Sequence, residues 1–579
     1  MSKLNIDQRN IKDLFQDKKS DFLIPDYQRP YAWTETECQT LWDDLFEFAI
    51  PNQNADSFNQ NDEYYLGPIV TFTNDDGKLE IIDGQQRLTT LMLLLRAFDV
   101  KFKYAQDPNT VKTREAIEKC LWKTDEFGTP KYDELKIDSE VATDNDKDEF
   151  LGILRTGETN KNQSSKYAVN YRFFQSQIEE FADHYAMYMA ILPMRILNNC
   201  ILLPIEAEDQ GTALRIFSTL NDRGLPLSDA DIFKAQFYKY YTSKDAKDDF
   251  IQRWKDLEDM CNSMFSASTG SPMDELFTRY MYYKRAQMGI NSSTTEALRK
   301  FYERDKYSIL KQDETLPNLE RLAKFWKDIN DQNNKRFSER VLKKLCVLNY
   351  APNSMWTYFL SVYFLQYHDE NDNLDDNKLY NFLDKTIAFV WTYAVTNPGV
   401  NALRTPVFAE MINIVNNQEV TFDRFKFDEN NVRASFNNFT FWNQRPVTKS
   451  MLTWWAFNNP NQQLLSIKDN YQIEHIYAKN RQKNDLGLDD SKLVESLGNK
   501  SLLEERINIR ASDYKFEDKK KYYLGFTNGR GQYKEGTNIA DLKELAADYN
   551  DFAGEDIKNR YNDIIDNFID YLKSNNLIK

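Results

Sequence analysis

The chain has 579 residues, 41% hydrophobic and 14% aromatic, which is too long for one ordinary core and too apolar for global disorder. Its net charge of −16 excludes a generic nucleic-acid coat protein, although a DNA enzyme can be acidic overall if one face is basic. Five scattered cysteines without zinc-knuckle spacing argue against a disulfide framework and for a reduced, cytoplasmic protein.

The opening residues are polar, with no apolar signal core, and no run near the first motif is long enough for a bilayer, so no membrane partner is expected. Ile24-Pro-Asp-Tyr-Gln-Arg-Pro-Tyr-Ala-Trp33 is dense in prolines and aromatics and reads as extended or turning. Thr34 with Glu37 forms a capping box that opens a helix with Leu41, Trp42, Leu45 and Phe48 on one face, placing Gln28 and Arg29 just ahead of it. Residues 65–72 and 78–82 read as two strands joined by the turn Asn74-Asp75-Asp76-Gly77.

The stretch Leu79-Glu-Ile-Ile-Asp-Gly-Gln-Gln-Arg-Leu-Thr-Thr90 is the most informative in the chain. A short strand turns at Asp83-Gly84, and from Leu88 onward Leu91, Leu94, Leu95 and Phe98 keep helical spacing. The junction presents helix N–H groups and the Arg87 fork, both suited to a phosphate, with Gly84 free to bend sharply. The residues alone allow a phosphate-bearing ligand here, or a capped helix with Arg87 in a salt bridge.

Residues 105–165 are polar and charged and read as an excursion or flexible insertion. Helical pattern returns over 167–197, and 201–205 is a candidate strand. In Ala213–Lys234, a helix stops near Asn221, Arg223 and Gly224, and Ser228 with Asp231 starts the next. By itself this is a helix–turn–helix connection. Residues 240–420 are helical, their Tyr, Phe and Leu stripes belonging to core, and His184 and His368 are isolated. Polar stretches at 425–440 and 458–470 mark candidate boundaries. The domains expected are 1–240, 241–440 and 441–579.

Near the C-terminus, Gln472-Ile-Glu-His-Ile476 sets Glu474 beside His475, followed by Leu497-Gly-Asn-Lys-Ser-Leu-Leu503 and Asn508. A histidine takes a proton from water, and a carboxylate with an asparagine oxygen suits Mg²⁺ or Mn²⁺. This is the kit of a one-metal phosphodiesterase; a buried Glu–His pair at a strand end is the plain alternative. Residues 499–534 hold nine Lys/Arg against five Asp/Glu, a local reversal of sign that suits a phosphate backbone. Gly498-Asn-Lys-Ser501 lacks the earlier glycine of a P-loop, and no such loop occurs elsewhere.

Taken together, the Ile24–Trp33 segment, Asp83-Gly-Gln-Gln-Arg87, and Phe217 to Lys234 with its Asn221-Asp-Arg-Gly-Leu-Pro-Leu-Ser core resemble the N-terminal, ParB/sulfiredoxin-like domain of GmrSD-type restriction proteins. The Glu-His-Ile, Gly-Asn-x-x-Leu-Leu, Asn508 and Phe516-Glu-Asp-Lys519 series resembles that family's C-terminal HNH-type nuclease domain. The resemblance implies a predominantly helical α+β protein with a small α/β N-terminal domain, a helical middle and a ββα-metal nuclease. It implies a nucleoside triphosphate (GTP, ATP or CTP) bound by Gln28, Arg29, Asp83, Gly84, Gln85, Gln86 and Arg87, with Asn221, Arg223 and Gly224 as further contributors. His475 would be the general base, Asn499 its orienting residue and Lys519 a contact to the scissile phosphate, with Glu474 and Asn508 on an Mg²⁺ or Mn²⁺ ion. The partners implied are double-stranded DNA, modified and of phage origin, and a second copy of the chain.

One position departs from the pattern. The family commonly has proline three residues after the histidine, and this chain has Ala478. A nucleotide-sensing interaction protein with a silent nuclease domain is therefore the main rival reading. A sulfiredoxin-like redox enzyme is a third, disfavoured because no cysteine lies in or beside residues 79–90.

Overall fold

The computed structural model describes residues 5–6, 8–141, 144, 146–209, 212–213, 216, 228–266, 271–290, 292, 294, 296–399, 402–481 and 488–579. The chain is a predominantly helical α+β protein. It divides into two compact units, Met1–Lys255 and Asp256–Lys579. No helix among the described residues is long and apolar enough to cross a membrane.

The first unit starts with β1 (Asn5–Ile6), β2 (Arg9–Asn10), α1 (Ile11–Gln16), β3 (Phe22–Ile24) and α2 (Glu35–Ala49). It continues with β4 (Tyr64–Thr73), β5 (Leu79–Asp83) and α3 (Gln85–Lys101). Both strands expected over 65–82 form, and the Thr34–Glu37 capping box is present at the start of α2. The next elements are α4 (Pro108–Leu121), β6 (Trp122–Thr124), β7 (Pro130–Leu135), β8 (Ile137–Ser139), α5 (Lys147–Thr156) and α6 (Lys166–Tyr185). They are followed by α7 (Ile191–Asn199), β9 (Cys200–Ala207) and α8 (Asp229–Thr242), the last opened by the expected Ser228–Asp231 box.

Among the described residues these strands build a seven-stranded mixed sheet in the order β1-β9-β4-β5-β3-β8, with β2 also on β9. Strands β4 and β9 run parallel, as do β3 and β5, whereas β4 and β5 are antiparallel. The pairing of β4 with β9 slips between Tyr65 and Gly67, a bulge at a glycine with φ +121°. Helix α3 is buried nearly all round, through Leu88, Leu91, Met92, Leu95 and Phe98, and is the centre of the unit's core.

The reading of 105–165 as an excursion is corrected here. Asp107 caps α4, Pro108 sits in its first turn, and Ile117, Cys120 and Leu121 are buried; β8 then joins the main sheet beside β3. The polar residues of this stretch are the solvent faces of ordered elements.

In the second unit, α9 (Pro272–Gln287), α10 (Thr315–Asn330), α11 (Glu339–Asn349), α12 (Met355–Tyr367), α13 (Asp376–Thr396) and α14 (Arg404–Val415) form an aromatic-rich bundle. Phe325 stacks on Phe364, and Tyr363 on Phe382, as expected of core stripes. Then come α15 (Glu429–Asn438), α16 (Pro446–Asn458), β10 (Tyr471–His475), β11 (Lys500–Glu504), α17 (Glu505–Ala511), α18 (Phe516–Leu524), α19 (Ala540–Asp548) and α20 (Gly554–Ser574). The segments read as 241–440 and 441–579 are knitted together within this unit. Phe427 pairs with Ile578, Ser450 Oγ donates to the Tyr350 carbonyl, and Tyr571 OH donates to Asp384.

All five cysteines are buried and free. Burial pushes the Cys38 and Cys120 thiols up to about 12, so neither is a thiolate near neutrality.

Gly498 packs against α20 so closely that an added Cβ would lie 2.0 Å from the Ile557 carbonyl oxygen. Both sides of that contact are backbone, so neither can yield cheaply. Gly498→Ala should destabilise the chain by about 1–3 kcal/mol, the usual range for overpacking; urea unfolding of the variant checks this.

Candidate functional site

Two polar clusters match the residues singled out in the sequence, one in each unit. The first lies where β5 runs into α3. Gly84 is the N-cap of α3 at φ +95°, and a Cβ there would meet the Ile69 side chain at 3.1 Å. Glycine is thus needed for both the turn and the close strand contact.

The motif side chains divide into two kinds. Gln28, Gln85 and Gln86 are committed to the backbone. Gln28 Nε2 donates to the carbonyls of Ile81 and Ile82, and Gln85 Nε2 donates to the Arg29 carbonyl at 2.9 Å. Gln86 Oε1 accepts from Ala32 N at 2.6 Å. These amides fasten the Gln28–Trp33 loop over the start of α3, so they shape the site rather than face it.

Asp83, Arg29 and Arg87 are of the other kind. Burial raises Asp83, partly offset by the Gly84 amide and the two arginines. Burial also lowers Arg87, whose Nη1 donates to the Pro68 carbonyl at 2.9 Å. No carboxylate lies within ion-pair distance of Arg87 or Arg29 among the described residues, and Asp83 attracts both from farther off. The bulge at Gly67 makes room for this guanidinium: a Cβ on Gly67 would sit 2.8 Å from Arg87 Nη2. A half-buried cation resting on one carbonyl, beside helix N–H groups, is a place for an anion. Asn221, Arg223 and Gly224 lie outside the described residues, as does Phe217.

The second cluster is built on the β10–β11 hairpin, in which His475 faces Lys500 and Glu474 faces Ser501 in register. Alternation sends Glu474 and His475 to opposite faces. Glu474, 3% exposed, accepts from Lys519 Nζ at 2.6 Å and from Tyr523 OH at 2.7 Å. Burial raises its carboxyl, and Lys519 and Tyr523 oppose the rise. Lys519 also donates to the His475 carbonyl at 2.7 Å. Lys519 is therefore a buried clamp between α18 and β10.

On the other face, the His475 imidazole lies 3.6 Å from Glu495, and its Nε2 is buried without a hydrogen-bond partner. Burial and the nearby Lys500 lower His475 from 6.5 to about 4, so the ring is neutral near pH 7. Burial opposes charge on Glu495, but Lys479 and Lys500 outweigh it and hold the carboxylate down at about 2.

Asn499 is fully buried; its Oδ1 accepts from Tyr477 N at 2.7 Å, and its Nδ2 donates to the carbonyls of Tyr477 and Val494. It fixes the chain just beyond His475 and does not bond the ring. Ala478 is buried in this fixed segment. Asn508 on α17 donates to Gln472 Oε1 at 2.9 Å.

Thus Glu474 and Lys519 come together, Asn508 and Gln472 come together, and His475 meets residues that sequence reasoning passed over. The pair Glu474 and Asn508 does not fit a divalent ion in this arrangement, because an ammonium and a phenol already hold Glu474. Among the described residues no group of three or more His, Cys, Asp or Glu side chains could hold a metal.

Sequence reading missed Glu495, Lys500, Tyr523 and Arg560. Arg560 Nη1 donates to the carbonyls of Leu497, Gly498 and Lys500, and its Nη2 to Asp541, so α20 pins the turn that carries Asn499. No local pattern reveals such a partner. The Gly-Pro pair at 67–68, inside a strand, was a usable signal for the bulge under Arg87.

Two family models match the chain. One, described as GmrSD restriction endonuclease, N-terminal domain, matches residues 11–238. The other, described as GmrSD restriction endonucleases, C-terminal domain, matches residues 426–567. No curated protein matches the chain.

Two outcomes follow from the hairpin. Because the folded chain binds the His475 proton only near pH 4 and the unfolded chain near 6.5, the stability from this group is full above about pH 6.5. It is lost as pH falls through about 4. Unfolding measured against pH should show this component in the wild type and not in His475→Gln. Separately, Lys519→Met leaves Glu474 buried and unpaired and should cost roughly 3–5 kcal/mol in urea unfolding. Adding Glu474→Gln should recover most of that loss.

Proposed function

The chain belongs to the GmrSD restriction endonuclease family, and from that premise we propose how its two polar clusters divide the work. It is a restriction-type nuclease of defence acting on DNA. The finer reading is a nucleotide-regulated endonuclease that cuts modified foreign DNA such as that of phage and works as a homodimer, with any Mg²⁺ or Mn²⁺ it uses held by groups other than the Glu474–Asn508 pair. Its nucleotide is GTP, ATP or CTP.

The observation that carries the nuclease reading is the imidazole of His475: neutral near pH 7, held at the end of β10, and facing Glu495. A neutral imidazole accepts the proton of a water as that water attacks phosphorus. The Glu495 carboxylate, 3.6 Å away, stabilises the imidazolium that forms. Asn499 and Lys519 keep the strand end in place during this transfer, one through Tyr477 and the other through the His475 carbonyl. The hairpin followed directly by α17 has the strand–strand–helix order expected of an HNH nuclease.

In the first unit, Arg87 and Arg29 beside the N-terminus of α3 would bind the phosphates of a nucleotide. Asp83, raised by burial, would take a proton or position water there. The nucleotide state would bias the protein between restrained and cutting-competent arrangements.

A second reading has its own support. Glu474 is occupied by Lys519, and alanine stands where the family commonly has proline, both of which favour a nucleotide sensor with a silent nuclease domain.

The test is cleavage of modified phage DNA and matched unmodified DNA, with Mg²⁺ or chelator and each triphosphate in turn. His475→Ala should lose at least about a hundredfold in cutting while nucleotide turnover persists. Asp83→Ala should lose turnover. A His475→Ala protein that cuts at the wild-type rate would remove His475 from the reaction, and turnover without any cutting would establish the sensor.

A further inference from the structure

The segment Phe439–Arg445, between α15 and α16, lies against the His475 cluster and has no role in the chemistry described so far. It is firmly held. Phe441 is 1% exposed and packs with Phe436 and Phe439. Lys500, itself fully buried, donates to the Phe441 carbonyl at 2.5 Å, to Asn443 Oδ1 at 2.8 Å and to Glu495 at 2.6 Å. Thr448 Oγ1 donates to the Trp442 carbonyl at 2.8 Å. One ammonium thus ties this segment to the carboxylate that faces His475.

On this pinned backbone, Trp442 is 53% exposed. Arg445 lies with its guanidinium 4.5 Å from the Phe439 ring and 5.8 Å from that of Trp442, and no carboxylate pairs with it among the described residues. A lone exposed tryptophan needs no explanation. An exposed indole and an unpaired guanidinium on a rigid turn, one buried lysine away from the candidate catalytic histidine, do.

We propose that Trp442 and Arg445 form a DNA-contact element beside His475: the indole stacks on a base displaced from the duplex near the scissile phosphate, and the guanidinium contacts the adjacent backbone. Stacking on an aromatic face is tolerant of sequence because every base offers a π-surface. The cation supplies the salt-dependent part of the contact. Because the turn is already fixed by Lys500 and Thr448, little order has to be imposed when the strand binds. The proposal rests on the nuclease reading only for its choice of DNA as the occupant.

The test uses the full chain in chelator, with a fluorescein-labelled duplex carrying a single-stranded gap, followed by anisotropy over a range of salt. Trp442→Ala should weaken binding of the gapped duplex about tenfold and reduce its advantage over intact duplex, with Trp442→Phe restoring most of the loss. Arg445→Ala should lower the slope of log affinity against log salt by about one. Phe127→Ala, which removes a 93% exposed ring in the first unit, should bind as wild type does. Trp442→Ala and Arg445→Ala proteins that both bind within about twofold of wild type at every salt concentration would overturn the contact. So would a wild-type chain that binds neither duplex. Loss of the nuclease reading is a separate event, seen as His475→Ala cleaving normally or as nucleotide turnover without any cutting.

Discussion

Each polar cluster has beside it an arginine wholly or partly withdrawn from water, and the two are treated in opposite ways. Arg560 has its charge answered: three carbonyls of the Leu497–Lys500 turn and the Asp541 carboxylate surround it. Such a set of partners offsets much of the cost of burying a guanidinium. The turn it gathers carries Asn499, Asn499 fixes Tyr477, and the strand end bearing His475 is placed as a result. Arg87 has a single carbonyl from Pro68 and no paired carboxylate among the described residues. The same physics that makes Arg560 architectural leaves Arg87 with less to answer its charge, one carbonyl and the more distant Asp83.

The hairpin shows how neighbouring residues acquire separate duties. Strand alternation sends Glu474 inward, to Lys519 and Tyr523, and His475 to the other face, toward Glu495 and Lys500. Two adjacent residues that look like one catalytic pair on paper are thus a structural carboxylate and a neutral imidazole. Lys500 does for Glu495 what Lys519 does for Glu474, and both ammonium groups are almost wholly buried. The Lys519–Glu474 pair is out of reach of water, so salt should screen it little, whereas Glu495 keeps part of its carboxylate in solvent.

What could be read in advance was local. The capping boxes at Thr34 and Ser228, the strand–turn–helix at Asp83-Gly84 and the strand ending at His475 are each specified by residues within a few positions. So was the burial of α3, whose apolar residues recur on every side. The stretch 105–165 misleads because its polar residues outnumber a short apolar stripe, Ile117, Cys120 and Leu121, at the end of α4, while Asp107-Pro108 marks the helix start. The partners that decide the site were not legible. Arg560 meets Gly498 across sixty-two positions, and Lys519 meets Glu474 across forty-five. A lysine in a charge-rich run gives no sign of which carboxylate it will bury itself against. The glutamines of the Asp83–Arg87 motif were legible as important but not in kind, since an amide that binds a ligand and one that ties down a loop have the same letter.

The five buried thiols have a practical meaning. A native molecule of this kind presents no ready sulfur to an alkylating reagent, so modification reports only on conformations that have opened. All five cysteines lie within a helix or strand, Cys261 in the helix Lys247–Met264 beside the buried Trp254 and Leu257. The pattern of labelling along the chain would therefore map which part loosens first. A cysteine introduced at any exposed position would react alone, giving a single-site label on a full-length chain from which no natural residue needs to be removed.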